Sequence, residues 1–245
     1  MTPREFDESD ARIRPARRTR PRSKDRPAHA DAIQALVTTV DRGRTTCITD
    51  SGAIVTAMKA REMGPKSVVV GDLVSIVGDV SGSEGSLARV VTVLTRKNTL
   101  TRSIDDHAND ERVIVANIDQ MAIVIAAANP EPRAGLVDRA LVVAYDQGIK
   151  PIIVMTKKDL ADGDEFLKIY KDLDIPVFKT DKSSDLTLLQ KELAGKITVF
   201  MGHSGVGKST LVNNLLAGSL SKSENSVIEN AHRATGDVNE VTGRG

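Results

Sequence analysis

The chain has 245 residues, 40% of them hydrophobic, with 34 basic and 33 acidic side chains, which is enough for one ordinary core or two smaller ones and names no partner by net charge. A single cysteine, Cys47, excludes a disulfide framework or a Cys-rich zinc site and fits a reducing compartment. No apolar run approaches the ~20 residues of a membrane span, and no apolar core follows the charged N-terminus as in a secretory signal, so a cytoplasmic protein with no membrane partner is expected.

Residues 1–30 are rich in Arg, Pro and acids and poor in apolar side chains. Arg12, Arg14, Arg17, Arg18, Arg20, Arg22, Lys24 and Arg26 face one acid, Asp25, within residues 11–26. They read as a disordered basic arm; the alternative is a solubilising tail without a ligand.

Residues 31–103 alternate short β-branched runs with turn residues. Strands are expected over 35–40, 45–49, 53–58, 67–70, 73–77 and 88–94, separated by Asp41-Arg42-Gly43, Asp50-Ser51-Gly52 and two Gly-Asp pairs. Their length and spacing predict a small antiparallel barrel, and a five-stranded OB-fold-like barrel fits. The segment contains no Phe, Tyr or Trp. It cannot stack bases on aromatic rings, so any RNA would be met by backbone and shape contacts.

From Val113 onward the pattern is α/β. The continuous apolar run 121–127 predicts a strand buried on both faces. Residues 136–147 predict a helix with Val137, Ala140, Leu141 and Ala144 on one face and Gly148 as its stop. Strands follow over 151–155, 176–178 and 196–201, and helices over 164–173, 185–193 and 207–216. Strict alternation implies parallel pairing through right-handed crossovers.

Two motifs carry chemistry. Gly202-His203-Ser204-Gly205-Val206-Gly207-Lys208-Ser209 matches the phosphate-loop pattern, between an apolar strand and a helix. Glycines let successive N–H groups point inward at phosphate oxygens, and the helix from Lys208 adds its positive end. Lys208 is expected on the β- and γ-phosphates and Ser209 on Mg²⁺, with Thr210 next on the same helix. His203 reads as an exposed loop residue rather than a catalytic base.

Thr156-Lys157-Lys158-Asp159 follows the strand 151–155 and reads as a guanine-recognition motif. A carboxylate at Asp159 can accept from the ring N–H and the exocyclic amine of guanine, a donor pair that adenine lacks. The Lys157 stem can lie over the base. Such K-x-D triplets are common on surfaces, and this one gains weight from its place at the C-terminal end of a strand. Thr180-Asp181-Lys182, after the next strand, is the candidate second base loop. Lys157 precedes Lys208 by 51 residues, the reverse of the usual GTPase order, and a sheet with rejoined ends accommodates that.

A barrel, then T-K-K-D, then G-H-S-G-V-G-K-S-T resembles the layout of circularly permuted GTPases, and most closely the ribosome small-subunit-dependent GTPase A family. The resemblance covers residues 11–245. It includes Glu111-Arg112-Val113-Ile114-Val115-Ala116-Asn117-Ile118-Asp119 at the entry to the GTPase domain and Val241-Thr242-Gly243-Arg244-Gly245 near the first switch. The arm with Arg20-Pro21-Arg22 resembles actinobacterial members. The resemblance implies GTP and GDP as ligands with Mg²⁺, and cytoplasmic GTP hydrolysis in late maturation of the small ribosomal subunit. It also implies rRNA as the contact surface and a monomer.

It divides the chain into the arm (1–30), an RNA-binding OB-fold-like barrel (31–103) and a permuted P-loop GTPase domain (104–245). It places a switch threonine, a D-x-x-G loop and a zinc module of three Cys and one His after Gly245, so the sequence reads as a C-terminally truncated piece. Asp181 stands where the family usually has a small residue. Two other readings stay open: a nucleotide- and RNA-binding module without turnover, and an ATP-dependent P-loop kinase or ATPase.

Overall fold

The computed structural model describes residues 29, 31–41, 43–60, 63–64, 67–105 and 108–220. The basic arm and the motif at 241–245 lie outside the described residues. Five strands close a barrel: β1 (Ile33–Asp41), β2 (Arg44–Thr49), β3 (Ile54–Lys59), β4 (Leu73–Gly78) and β5 (Ala88–Val93). Their order is β1-β2-β3-β5-β4, with β4 returning to β1. All neighbours are antiparallel except β3 and β5. Alternate residues point inward, so Val37, Cys47, Val55, Val74, Ile76 and Val90 fill the interior. This is the expected OB-fold-like barrel.

The run 67–70 is not one of its strands. Two of its backbone groups are taken by side chains: the Val69 amide donates to Asp72 Oδ2 (2.8 Å), and Ser67 O accepts from Arg96. Val70 makes one isolated bridge, to Val115. Asp72 is fully buried and held by Arg96 (2.7 Å), whose guanidinium pKa that bond raises. A hairpin of β6 (Thr99–Asp105) and β7 (Ala108–Ala116) follows, where no strands were expected. The acids and arginines of 105–112 break the apolar alternation that marks a half-buried strand. The anticipated boundary at 103/104 falls inside β6.

The hairpin joins the barrel to the rest of the chain. At Gly71 (φ +86) a Cβ would lie 2.0 Å from Ala116 O, so only glycine allows this approach. Asn117 Nδ2 donates to Gly71 O (2.8 Å), and the Asn98 side chain pairs with both backbone groups of Ile118 (2.7 and 2.8 Å). Barrel and sheet belong to one compact unit starting at Ala32.

That sheet holds β8 (Gln120–Ala126), β9 (Lys150–Thr156), β10 (Val177–Lys179) and β11 (Thr198–Met201), all parallel, in the order β10-β9-β8-β11. β8 is buried along its whole length because both faces are covered. Met121, Ile123 and Ile125 face α1 (Ala134–Asp146) through Val137, Ala140, Leu141 and Ala144. Ala122, Val124 and Ala126 face α3 (Thr187–Leu193) and α4 (Lys208–Leu220) through Leu189 and Leu211.

The helix expected over 164–173 is only partly α-helical. α2 (Asp164–Leu167) gives way to a 3-10 turn over Lys168–Leu173. The tighter winding carries Tyr170 inward, where its hydroxyl donates to Asp138 (2.9 Å) and burial raises its pKa.

Candidate functional site

The glycine-rich loop at 202–209, the T-K-K-D segment and Thr180-Asp181-Lys182 all lie at the C-terminal ends of the parallel strands, where open α/β sheets collect ligands. β11 runs into Gly202, whose Cα faces the neighbouring strand; a Cβ there would lie 2.2 Å from Val124 O. Gly205 and Gly207 take φ of +76° and +91°, and α4 begins at Lys208. The loop therefore curls over the end of β8 and delivers its chain into a helix N-terminus. Lys208 Nζ donates to Gly202 O (2.8 Å) and His203 O (2.5 Å), and burial lowers its pKa. Ser209 and Thr210 are half-buried in the first turn of α4, Val206 is buried, Ser204 is half-buried and His203 is exposed.

The T-K-K-D segment leaves the end of β9 beside that loop. Thr156 is buried, and its hydroxyl donates to Val206 O (2.5 Å), with Ile125 O at 3.2 Å. Two motifs 50 residues apart are thus tied by one side chain. Lys157 adopts φ +57° and its ammonium donates to Asn129 O. Lys158 and Asp159 are exposed on the turn that follows, and among the described residues no donor engages the Asp159 carboxylate.

The second loop packs against this turn. The Lys158 amide donates to Thr180 O (3.1 Å), and Lys158 Nζ lies 3.7 Å from Asp181. Asp181 accepts from the Ser183 amide and hydroxyl (both 2.8 Å), and its own amide donates to Ser184 Oγ (2.8 Å). Bonds from Ser183 and Ser184, with Lys158 adding, hold the Asp181 carboxyl down at about 2.

Between the loops lies a cavity of about 430 Å³. Its walls are the ends of β8, residues 203–206, Lys157, and the segment Asn129–Arg133 leading into α1. That last wall has no counterpart among the sequence motifs. Its signal was positional: it follows the C-terminal end of a buried strand, and Pro130 and Pro132 bar a direct start of the helix. Among the described residues no three His, Cys, Asp or Glu gather as a metal site. The hydroxyl of Ser209 is a hard oxygen donor of the kind Mg²⁺ takes.

A five-stranded barrel followed by a parallel sheet with a glycine-rich phosphate loop places the chain in the α/β phosphate-loop class. The model of the RsgA GTPase family matches residues 93–245, and the chain belongs to that family. It is 36% identical over 164 residues to the "Small ribosomal subunit biogenesis GTPase RsgA" of Ectopseudomonas mendocina, covering 64% of this chain and 43% of that one. The protein of the same name from Pseudomonas aeruginosa is 35% identical over 173 residues, covering 67% of this chain and 46% of the other. The chain thus spans less than half the length of these curated relatives.

Among solved structures, YjeQ from Thermotoga maritima aligns with a TM-score of 0.59 and 27% identity, over 75% of this chain and 65% of that one. YloQ, described as a circularly permuted GTPase, aligns with 0.56 and 25%, over 77% and 66%. Among the described residues no helix is long and apolar enough to cross a membrane.

Proposed function

We propose that this chain binds guanine nucleotide with Mg²⁺, hydrolyses GTP, and acts in the cytoplasm as a monomer in maturation of the small ribosomal subunit. The observation that supports it most is the Thr156–Val206 hydrogen bond, which sets the base motif and the phosphate loop side by side at one edge of the sheet.

In this reading the backbone of 202–207 and Lys208 hold the β- and γ-phosphates. Asp159 reads the guanine edge, Lys157 covers the base, and Thr156 positions both loops. Thr180–Lys182 closes the base pocket through Lys158. Ser209 would hold Mg²⁺, which neutralises charge on the phosphate oxygens.

We further propose the barrel, over 31–103, as the RNA-contacting module, with the arm 1–30 adding phosphate contacts and 104–245 forming the nucleotide domain. Register supports an electrostatic outer face: Arg44 pairs across β2–β3 with Met58, and Met58 across β3–β5 with Arg89, so both arginines sit on one exposed row. The segment Arg20-Pro21-Arg22 supports a place among actinobacterial members.

Competition for a fluorescent guanine nucleotide tests the core of this reading. GTP and GDP are expected to displace it far better than ATP, because the wrong base leaves the Asp159 carboxylate without its donors. Equal displacement by ATP and GTP would overturn it.

A further inference from the structure

We infer that Arg133 is a second cation of the nucleotide site, reaching from the start of α1 to the phosphate chain and favouring the triphosphate over the diphosphate. This rests on the nucleotide reading above.

Arg133 lines the same cavity as His203–Val206. The other cations of the site are already directed: Lys157 donates to Asn129 O, and Lys208 to Gly202 O and His203 O. Among the described residues the Arg133 guanidinium makes no hydrogen bond or ion pair, not even with Glu131, the one carboxylate on the cavity wall.

Its position in the helix makes this more telling. Arg133 is the N-cap of the 13-residue α1, where Ser, Thr, Asp or Asn ordinarily bond the free amides. It makes no capping bond, and the first turn holds no acid. A fixed positive charge at the positive end of a helix is locally unfavourable, and local rules of this kind are broken where function needs the residue. An anion in the cavity would relieve both the guanidinium and the uncapped amides.

Arginine suits phosphate oxygens, because its planar fork donates two parallel hydrogen bonds and keeps its charge at any working pH. A triphosphate carries more negative charge than a diphosphate and extends one phosphoryl group further. It also meets the repulsion of Glu131, which a neighbouring guanidinium offsets. Arg133 thereby adds binding that the diphosphate does not collect in full.

Equilibrium titration with fluorescent GDP and a non-hydrolysable GTP analogue tests this on wild type, Arg133→Ala and Arg133→Lys. Thermal unfolding checks that each variant is folded; Arg133 makes no capping bond, and removing its charge from the positive end of α1 is expected to leave the midpoint of Arg133→Ala level or slightly raised. Arg133→Ala is expected to weaken the GTP analogue roughly tenfold and GDP less than about threefold, with Arg133→Lys between wild type and Ala. Equal losses for both nucleotides, or no loss for either, would overturn the assignment. If wild type prefers GTP to ATP while Arg133→Ala changes nothing, only this inference fails. If wild type binds no guanine nucleotide, the reading it rests on fails with it.

Discussion

The barrel and the parallel sheet bury their strands in different ways. In β2 the inward residues Thr45, Cys47 and Thr49 alternate with Arg44, Thr46 and Ile48. In β8 every residue from Gln120 to Ala126 is buried. A closed barrel has one inside, filled here by small apolar side chains, so whatever it meets must be met on its outer face. The sheet has two covered faces and exposes neither, so its chemistry is displaced to the strand ends, where backbone leaves the core and loops begin. The two regions differ in where function can sit, and the second offers a cavity lined by Arg133, Lys157 and residues 203–206.

Removing one core side chain from each region tests that separation, and carries the largest expected effect. Ile76 in the barrel and Ile123 in β8 are both fully buried. Ile76→Ala and Ile123→Ala should each cost ~2–5 kcal/mol of stability, depending on how far the site collapses. Nucleotide binding should tell them apart. Ile123 adjoins Val124–Ala126, which line the cavity, so its loss should weaken GDP binding. Ile76→Ala should leave GDP affinity within about twofold under conditions where it is folded. Denaturant unfolding with GDP titration measures both, and a matching loss of GDP affinity in Ile76→Ala would erase the distinction.

Within the sheet region, Lys208→Ala is next. Losing a charge-assisted contact to phosphate should cost about 3 kcal/mol, or roughly a hundredfold in triphosphate affinity, while the barrel stays intact. Burial lowers the Lys208 pKa. The charged form is therefore lost earlier as pH rises than for a free lysine, and wild-type triphosphate affinity should fall on the alkaline side. Isothermal titration across pH reads both; a variant with undiminished affinity would remove Lys208 from the site.

How far the sequence reported these regions follows from the range of the forces involved. Barrel strands were legible because inside and outside alternate residue by residue, and β8 because burial on both faces removes the alternation. The phosphate loop was legible because Gly202, Gly205 and Gly207 mark backbone that other residues cannot adopt or that lies against Val124. The hairpin of β6 and β7 was not, since its pairing partner is its own polar continuation. Val68 and Val69 looked like a strand and are buried, yet the Val69 amide is taken by the carboxylate of Asp72, whose partner Arg96 is 24 residues away. The cavity wall at Asn129–Arg133 carries no motif; only the folded sheet brings it to the cavity that His203–Val206 also line.

The base loop provides a narrower test. If Asp159 reads guanine by accepting two hydrogen bonds, Asp159→Asn turns one acceptor into a donor. That donor then faces the exocyclic amine, and guanine should lose ~1–3 kcal/mol. Xanthine carries an oxygen in place of the amine and matches the amide at both ends. Competition by XDP and GDP on both proteins measures the exchange. A variant that keeps its preference for GDP would show that the turn after β9 does not read the base.

Asp181 offers the smallest effect and the finest distinction, because it shapes the second loop without entering the cavity. Its carboxylate gathers the Ser183 amide and hydroxyl and faces Lys158 of the base motif. Asp181→Asn keeps one acceptor oxygen but loses the charge. GDP affinity should fall by about threefold or less, as expected for a long, partly exposed ion pair at 3.7 Å. The hydrogen bonds from Ser183 and Ser184 hold the folded carboxyl at about 2, below the ordinary aspartate value of 3.8. Its contribution to stability is therefore present above pH 3.8 and lost as pH falls through 2. Wild type should unfold at a higher denaturant concentration than the variant, by an amount that is constant from pH 5 to 8. The gap should close as pH drops from 4 toward 2, where the wild-type carboxyl takes up its proton. A gap that persists at pH 2 would mean that the charge of Asp181 does not order the loop, and that its shape comes from the serine hydrogen bonds alone.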